Sequence, residues 1–496
     1  MRAFLFFGAL ALAGFASANF TVHTSNGPIT GHLAPRVGSV REFLGIPYAN
    51  PPVEELRFAA PEPYSGKGAF IASEFSNDCV FTASKPVDFP NETPQFKQIV
   101  AAFTGQNDNV QSEDCLSLNI WSSIDAVNAP VLVFFHGGRY TAGDTNTPFL
   151  NGKYFAEAQD IVVVTVNYRL NIFGFPGAPG ETQNLGLLDQ RLAVEWLRDN
   201  ARAFGGNPDR ITISGQSSGG LSVDFWSYAW KEEPIVAGMI SHSGTVFSFG
   251  VNSHETAHRH WYNASTLVGC GSSGDVMPCM RSRSAEDIKA AITEIPPPPG
   301  TSIARSQPVF QPTPDGRLVF DDYATLSEEG QFVPIPYLLG HNDNEAGFYN
   351  ISAFAKGNIL TDAEWAEFNQ DVFSCATRQE ATNRANYGAP AWRYRYYADW
   401  DNTRLYPTSG AYHGVDLHMI FGASSDVSGL PETPEQTELK QTMQAAWASF
   451  AADPERGLKE MGWPTFDPAG ETLIQFGVDN DPEVSFINPG VYDDAC

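Results

Sequence analysis

The chain has 496 residues and a formal charge of −27, from 57 acidic against 30 basic side chains. Such an excess of negative charge repels phosphate backbones and anionic bilayers, which excludes nucleic-acid binding and electrostatic attachment to membranes. Length alone would allow several domains, but large α/β enzymes can run one extended sheet through a chain of this size, and no repeat or long linker interrupts this one.

The chain opens Met1-Arg2 and continues with an apolar stretch from Ala3 to Ala16, followed by Ala16-Ser17-Ala18, a small-x-small cleavage site. The stretch is too short for a bilayer span and reads as a secretory signal peptide over residues 1–18. The expected mature chain is a single domain over residues 19–496, released outside the cell. Six cysteines, Cys79, Cys115, Cys270, Cys279, Cys375 and Cys496, fit an oxidising compartment. Their pairing is left open by the spacing. Sequons at Asn19, Asn91, Asn263 and Asn350 predict surface positions wherever they carry glycans.

A strand is expected at Phe20-Thr-Val-His23, with a turn at Asn26-Gly27. Gly45-Ile-Pro-Tyr-Ala49 and Ser112-Glu-Asp-Cys-Leu-Ser-Leu-Asn-Ile-Trp121 follow. Between Cys79 and Cys115, Phe96, Ile99, Val100 and Phe103 fall on one helical face, with Gln95, Lys97 and Gln98 off it. On pattern alone this is a surface helix packed on the body. Pro130-Val-Leu-Val-Phe-Phe135 and Ile161-Val-Val-Val-Thr-Val166 are continuous apolar runs, as expected of strands buried on both faces. The first ends in His136-Gly137-Gly138-Arg139. Asp189 to Phe204 has helical spacing, and Ile211-Thr-Ile-Ser214 is the next strand. Strand, helix, strand in this rhythm predicts a mostly parallel sheet covered by helices on both faces.

That last strand runs into Gly215-Gln216-Ser217-Ser218-Gly219. A Gly-x-Ser-x-Gly between strand and helix is a nucleophile elbow. The glycines keep the tight turn clear of a Cβ, and the turn lifts the Ser217 hydroxyl out of the sheet. Serine needs a base, and the base needs a carboxylate to orient it. In this fold class the order is serine, acid, histidine. Pro336-Tyr-Leu-Leu339 reads as a strand that ends in Gly340-His-Asn-Asp-Asn-Glu345, so Glu345 is the expected acid and Asp343 a turn-capping alternative. His413, in Gly410-Ala-Tyr-His413-Gly-Val-Asp416, is the expected base, and His418 is expected to pack locally. A late helix covers Ala445 to Ala451.

One competing pattern is His254-Glu255-Thr256-Ala257-His258, the short zinc-protease signature. Its extended form needs glycine and histidine where Trp261 and Ala264 stand. The alternative functions are therefore a zinc-dependent metalloprotease on this motif or a catalytically silent adhesion-type relative. The Ser217, Glu345 and His413 set speaks against the second.

The segments Gly45-Ile-Pro-Tyr-Ala49, Glu113-Asp-Cys-Leu-x-Leu-Asn119 and Gly215-x-Ser-x-Gly-Gly220 stand in the order found in type-B carboxylesterases and lipases, and the chain resembles that family from about Gly31 to Trp463-Pro464. The resemblance implies an α/β-hydrolase fold and hydrolysis of carboxylic esters, with no metal or organic cofactor. It implies bridges Cys79–Cys115 and Cys270–Cys279, which leaves Cys375–Cys496 unless Cys496 bonds another chain. Arg57 and Glu113 look like the family's structural ion pair. The backbone amides of Gly138, Arg139 and Ser218 would form the oxyanion hole, although the family usually has glycine where Arg139 stands and glutamate where Gln216 stands. The Cys79–Cys115 loop is similar to the lid of fungal lipases. It lacks the tryptophan that cholinesterases carry there, so apolar acyl esters, small or lipid, are the expected substrates.

Overall fold

The computed structural model describes residues 20–105, 109–298 and 307–496. The expected signal peptide and the Asn19 sequon lie outside the described residues, as does the end of the Pro296–Gly300 loop. Thirteen strands of the described residues form one sheet. From one edge the path runs Phe20–Thr24, Gly27–Leu33, Val40–Pro47, Ser117–Ser123, Val162–Val166, Ala129–Phe135, Gly206–Gln216, Gly238–His242, Tyr337–Asn342, Ala391–Tyr396, Leu473–Phe476 and Ser485–Ile487. Phe70–Ile71 pairs with Gly27–Leu33 off this path. From Val162–Val166 to Leu473–Phe476 every pairing is parallel, and the antiparallel strands are gathered at the two edges.

The strands Ala129–Phe135, Val162–Val166, Gly238–His242, Tyr337–Asn342 and Ala391–Tyr396 are buried at every position because helices cover both faces. Along Ala129–Phe135 the side chains alternate between two cores. Val131, Val133 and Phe135 join the core that holds Leu187, Val194 and Leu197 of the helix Leu185–Asn200 and Leu221 and Phe225 of Ser218–Ala229. Leu132 and Phe134 join the core that holds Leu439, Met443, Trp447 and Phe450 of Pro434–Ala452. Each of these large apolar side chains stabilises the fold by roughly 1.5–3 kcal/mol through burial. Parallel strands feeding helices put all carboxyl ends of the central strands on one side. That side carries His136, Ser217, Ser243 and Glu345, each just past a strand end.

Three bridges close the chain, Cys79–Cys115, Cys270–Cys279 and Cys375–Cys496. Arg57 and Glu113 pair at 2.5 Å beside the first of them, and Arg57 also donates to the carbonyls of Arg281 and Arg283. The predicted amphipathic helix is Phe96–Phe103, with Phe96, Ile99 and Val100 turned inward. Its start is tied down by Gln95, which donates to the carbonyls of Asp401 and Arg404, and by Thr93, which donates to those of Arg404 and Leu405. Asn91 and Asn263 are exposed. Asn350 is half-buried, and its amide nitrogen lies 3.5 Å from the Tyr406 hydroxyl.

Candidate active site

The elbow is built by close approach. Ser217 stands at φ 57° and ψ −120°, a conformation that side chains rarely adopt. Its own N–H donates to the His242 carbonyl at 2.8 Å, which pins the turn to the neighbouring strand. A Cβ at Gly219 would stand 2.0 Å from the Phe135 carbonyl oxygen, and one at Gly215 would stand 2.3 Å from the Gly219 carbonyl. The pattern therefore needs both glycines for space, as the sequence reading expected.

Glu345 and His413 meet, although 68 residues separate them. The Glu345 Oε2 accepts from His413 Nδ1, while its Oε1 accepts from the Ser243 hydroxyl at 2.6 Å and the Asn342 N–H at 2.7 Å. Glu345 is fully buried. A buried carboxylate with three donors is held in position. Asp343 lies elsewhere: it pairs with Arg395 at 2.9 Å and is partly exposed. His418 packs edge-on to Phe149, and burial pushes its pKa down to about 3.

The other imidazole nitrogen of His413 does not meet Ser217. It accepts from Gln216 Nε2 at 3.0 Å and lies 3.4 Å from the Tyr349 hydroxyl. Neither partner was assigned from the sequence. Gln216 was visible there as a departure beside the nucleophile, and Tyr349 stands one helical turn past Glu345, on the same helix, Ala346–Ala355. The ring of Phe103, at the end of the amphipathic helix, lies 6.4 Å from that of His413.

The loop after Ala129–Phe135 comes within reach of the elbow. A Cβ at Gly137 would stand 2.5 Å from Gln216 Oε1 and 3.1 Å from the Ser217 Cβ. Gly138 has φ 110°, and a Cβ there would meet the Ala142 carbonyl at 2.1 Å. Arg139 follows at φ 61° and Tyr140 at φ 60°. A non-glycine residue is strained there by roughly 1–2 kcal/mol, so the loop carries a conformation that glycine would take without strain. The Tyr140 N–H donates to the Ser218 hydroxyl at 3.3 Å. The amides of Gly138 and Ser218 have no hydrogen-bond partner among the described residues. Ser217 itself lines a cleft walled by Arg139, Leu221, Phe249, Gln311 and Tyr349. A second cleft, lined by Gln216, has Phe103, Phe134, Phe149, Leu150 and Leu417 together with His136, Asp144 and Thr147.

The His254-Glu255-x-x-His258 segment opens the helix His254–Leu267, with the two imidazole rings 6.1 Å apart. No third histidine, cysteine or carboxylate joins them among the described residues, whereas a catalytic zinc site uses three protein ligands.

Comparison with known proteins agrees with this geometry. The model of the Carboxylesterase family matches residues 18–372 and 363–487. The chain is 32% identical over 500 residues to the chlorogenic acid esterase of Aspergillus niger, covering 96% of this chain and 93% of that one. It is 32% identical over 515 residues to secreted lipase 5 of Gibberella zeae, with the same coverage. With the para-nitrobenzyl esterase of Bacillus subtilis it shares 28% over 486 residues, covering 90% of this chain and 93% of that one.

Proposed function

From the premise that this chain belongs to the Carboxylesterase family, has its α/β-hydrolase fold and hydrolyses carboxylic esters, we propose that Ser217 is the nucleophile, His413 the general base and acid, and Glu345 the residue that orients His413. The observation that carries this reading is the Glu345–His413 contact beside a strained Ser217 that lines a cleft. Ser217 Oγ bonds to the ester carbonyl carbon and its proton passes to His413 Nε2. The negative charge that grows on the carbonyl oxygen is taken by the amides of Gly138, Arg139 and Ser218. The alcohol leaves with the proton from His413, and water, deprotonated by the same nitrogen, then cleaves the acyl-enzyme. Gln216 holds that nitrogen in the free enzyme, so substrate entry must turn the imidazole toward Ser217; contacts of this kind often tighten only once substrate is bound.

We read the chain as a single domain over 19–496 behind a signal peptide, secreted and glycosylated. Its bridges and its likeness to a secreted lipase support this, and no helix of the described residues is long and apolar enough to cross a membrane. A fluorophosphonate should label Ser217 and abolish esterase activity, while a chelator leaves activity intact. Loss with chelator, recovered with zinc and indifferent to the serine reagent, returns the function to His254 and His258.

The helix Phe96–Phe103 favours a second, narrower reading in which apolar acyl esters are taken at a lipid surface. Phe103 walls the His413 side of the site. Swinging the helix out would expose Phe96, Ile99, Val100 and Phe103 at roughly 1.5–3 kcal/mol each, a loss that only an apolar surface offsets. Activity on a medium-chain ester should then jump as the substrate passes its solubility limit, and Phe96→Ser with Phe103→Ser should blunt the jump. Smooth saturation leaves the helix as a fixed wall.

A further inference from the structure

Gln311 walls the cleft that Ser217 lines, and a chain of bonds behind it holds its carboxamide in one orientation. The Val309 carbonyl can only accept, and it accepts from Asn252 Nδ2 at 2.8 Å. Asn252 must therefore present Oδ1 at its other end, and that oxygen accepts from Gln311 Nε2 at 3.2 Å. Turning the Gln311 amide over would set its Oε1 against Asn252 Oδ1, two acceptors with no proton between them. The backbone is clamped as well. The Asn252 N–H donates to the Pro312 carbonyl at 3.1 Å, and the Asn184 side chain bonds both the N–H and the carbonyl of Thr313, at 2.9 and 2.8 Å.

The outward end of that amide, Gln311 Oε1, has no hydrogen-bond partner among the described residues. Gln311 is only 6% exposed, yet this oxygen is not sealed from solvent. A buried amide whose donor end is tied back and whose acceptor end is open offers an acceptor to whatever fills the cleft. Leu221, Phe249, Pro308 and Pro312 supply apolar walls around the same space. An ester group brings two oxygens and no donor, so it cannot pair with Oε1. A plain alkyl chain would strip water from Oε1 and leave it unpaired, which weakens binding. A hydroxyl on the bound chain removes that penalty. In the mechanism proposed above His413 gives its proton to the leaving alcohol, and His413 is not among the described residues lining this cleft. The cleft therefore takes the acyl half of the ester.

We propose that Gln311 sets specificity, and that the preferred esters carry a neutral hydroxyl on an otherwise apolar acyl group, donated to Gln311 Oε1. This rests on the reading of Ser217 as nucleophile and adds the substrate class. Asn252 is then a positioning residue. It does not line the cleft, and it acts by keeping the acceptor end of Gln311 outward.

The experiment compares kcat/KM of methyl esters in sets of three. The parent acids are ω-hydroxyhexanoic, ω-hydroxyoctanoic and para-hydroxyphenylpropanoic acid, each beside analogues with methyl or methoxy in place of the hydroxyl. The different lengths cover the reach from Ser217 to Gln311. In at least one set the wild type should prefer the hydroxyl ester over both analogues by about tenfold or more, since neither analogue has a donor for the buried oxygen. Gln311→Met keeps the bulk without the acceptor, and Asn252→Ala lets the amide turn over. Each should cut the preference by about fivefold or more. A packing role alone would instead lower all three esters of a set by one factor and leave their ratios unchanged. A smaller wild-type preference in every set overturns the proposal, whether or not the variants fold, and so does a preference that survives Gln311→Met. A preference lost in Gln311→Met but kept in Asn252→Ala overturns the positioning role of Asn252. Ser217→Ala, run on the same esters, reports separately on the nucleophile: turnover that persists there sinks that reading without changing the wild-type ratios.

Discussion

Two Ser–His–carboxylate sets lie interleaved at the carboxyl end of this sheet, and the better-formed one is sealed. Ser214 Oγ is 3.2 Å from His242 Nε2, and His242 Nδ1 is 3.0 Å from Asp416 Oδ2. Three residues beyond Ser214 stands Ser217, and three residues before Asp416 stands His413, which meets Glu345. By hydrogen bonds alone, Ser214 looks closer to activation than Ser217 does. Yet Ser214, His242 and Asp416 are at most 1% exposed. Ser214 lies in the strand Gly206–Gln216, Trp447 Nε1 also donates to His242 Nε2 at 3.3 Å, and the Tyr394 hydroxyl donates to Asp416 at 3.0 Å. The Ser217 set has what the sealed one lacks: a strained backbone and a cleft. In the proposed mechanism access separates the two sets, since a hydrogen-bonded triad by itself has nothing to attack.

The sealed set still acts on the open one through Asn342. Its side-chain amide donates to Asp416 Oδ1 at 3.1 Å and to the Tyr412 carbonyl at 3.0 Å, next to His413, while its backbone N–H donates to Glu345. One asparagine thus ties the buried anion to both the acid and the histidine.

The largest effect that separates the two sets is on turnover. Glu345→Gln should lower kcat by about 10⁴, the loss seen when a triad histidine is left in the wrong tautomer. Ser214→Ala should leave kcat/KM on a small soluble ester unchanged. If steady-state kinetics give the reverse pattern, the sealed set is the reactive one.

The next effect is on stability. Asp416 is buried, which raises its pKa, but the bonds from His242, Asn342 and Tyr394 outweigh burial and hold it below the usual carboxylate range. A carboxyl whose folded pKa is depressed contributes stability that is present above its unfolded pKa and lost as pH falls through the folded one. Asp416→Asn should therefore destabilise the protein near pH 7 by about 1–3 kcal/mol, because it replaces the carboxylate acceptor of several buried hydrogen bonds. It should also flatten the acid side of the stability curve below about pH 4. Chemical denaturation across that range checks both. A variant as stable as the wild type would show that the sealed set carries no stabilising charge.

Much of this was legible in the sequence where the chemistry is local. The elbow, the strands Ala129–Phe135 and Val162–Val166 and the helix Phe96–Phe103 announce themselves by glycine spacing, unbroken apolar runs or one-sided periodicity. What stayed hidden is polar and non-local. Ala391–Tyr396 is a fully covered strand, yet it carries two arginines, Arg393 paired with Asp493 and Arg395 with Asp343. Ser117–Ser123 has Asn119 at its centre, bonded to the Gly45 N–H and to Thr145 and Thr165. Patterning reads such residues as surface, because only the fold supplies the partners that make their burial tolerable. The same holds for His242 and Asn342, which no motif marks. Gln216 was noticed only as a departure from a family habit; its contact with His413 spans 197 residues and could not be read from either end.

That contact sets the smallest and most local test of the comparison. In the sealed set the histidine nitrogen next to serine receives neutral donors, from Trp447 and Ser214. In the open set it receives the neutral amide of Gln216, whose Oε1 lies where a Cβ at position 137 would come within 2.5 Å. His413 can take the Ser217 proton only while that nitrogen carries none. Gln216→Glu puts a carboxylate of nearly the same shape against it, and a neighbouring anion favours the imidazolium. The acid limb of the kcat/KM profile should then move to higher pH by about one unit, while the plateau at high pH changes little. Gln216→Met removes the donor and adds no charge, so its limb should stay with the wild type. A limb that moves equally in both variants would trace the effect to packing, and one that moves in neither would mean that the 216 side chain does not face His413 while the enzyme works.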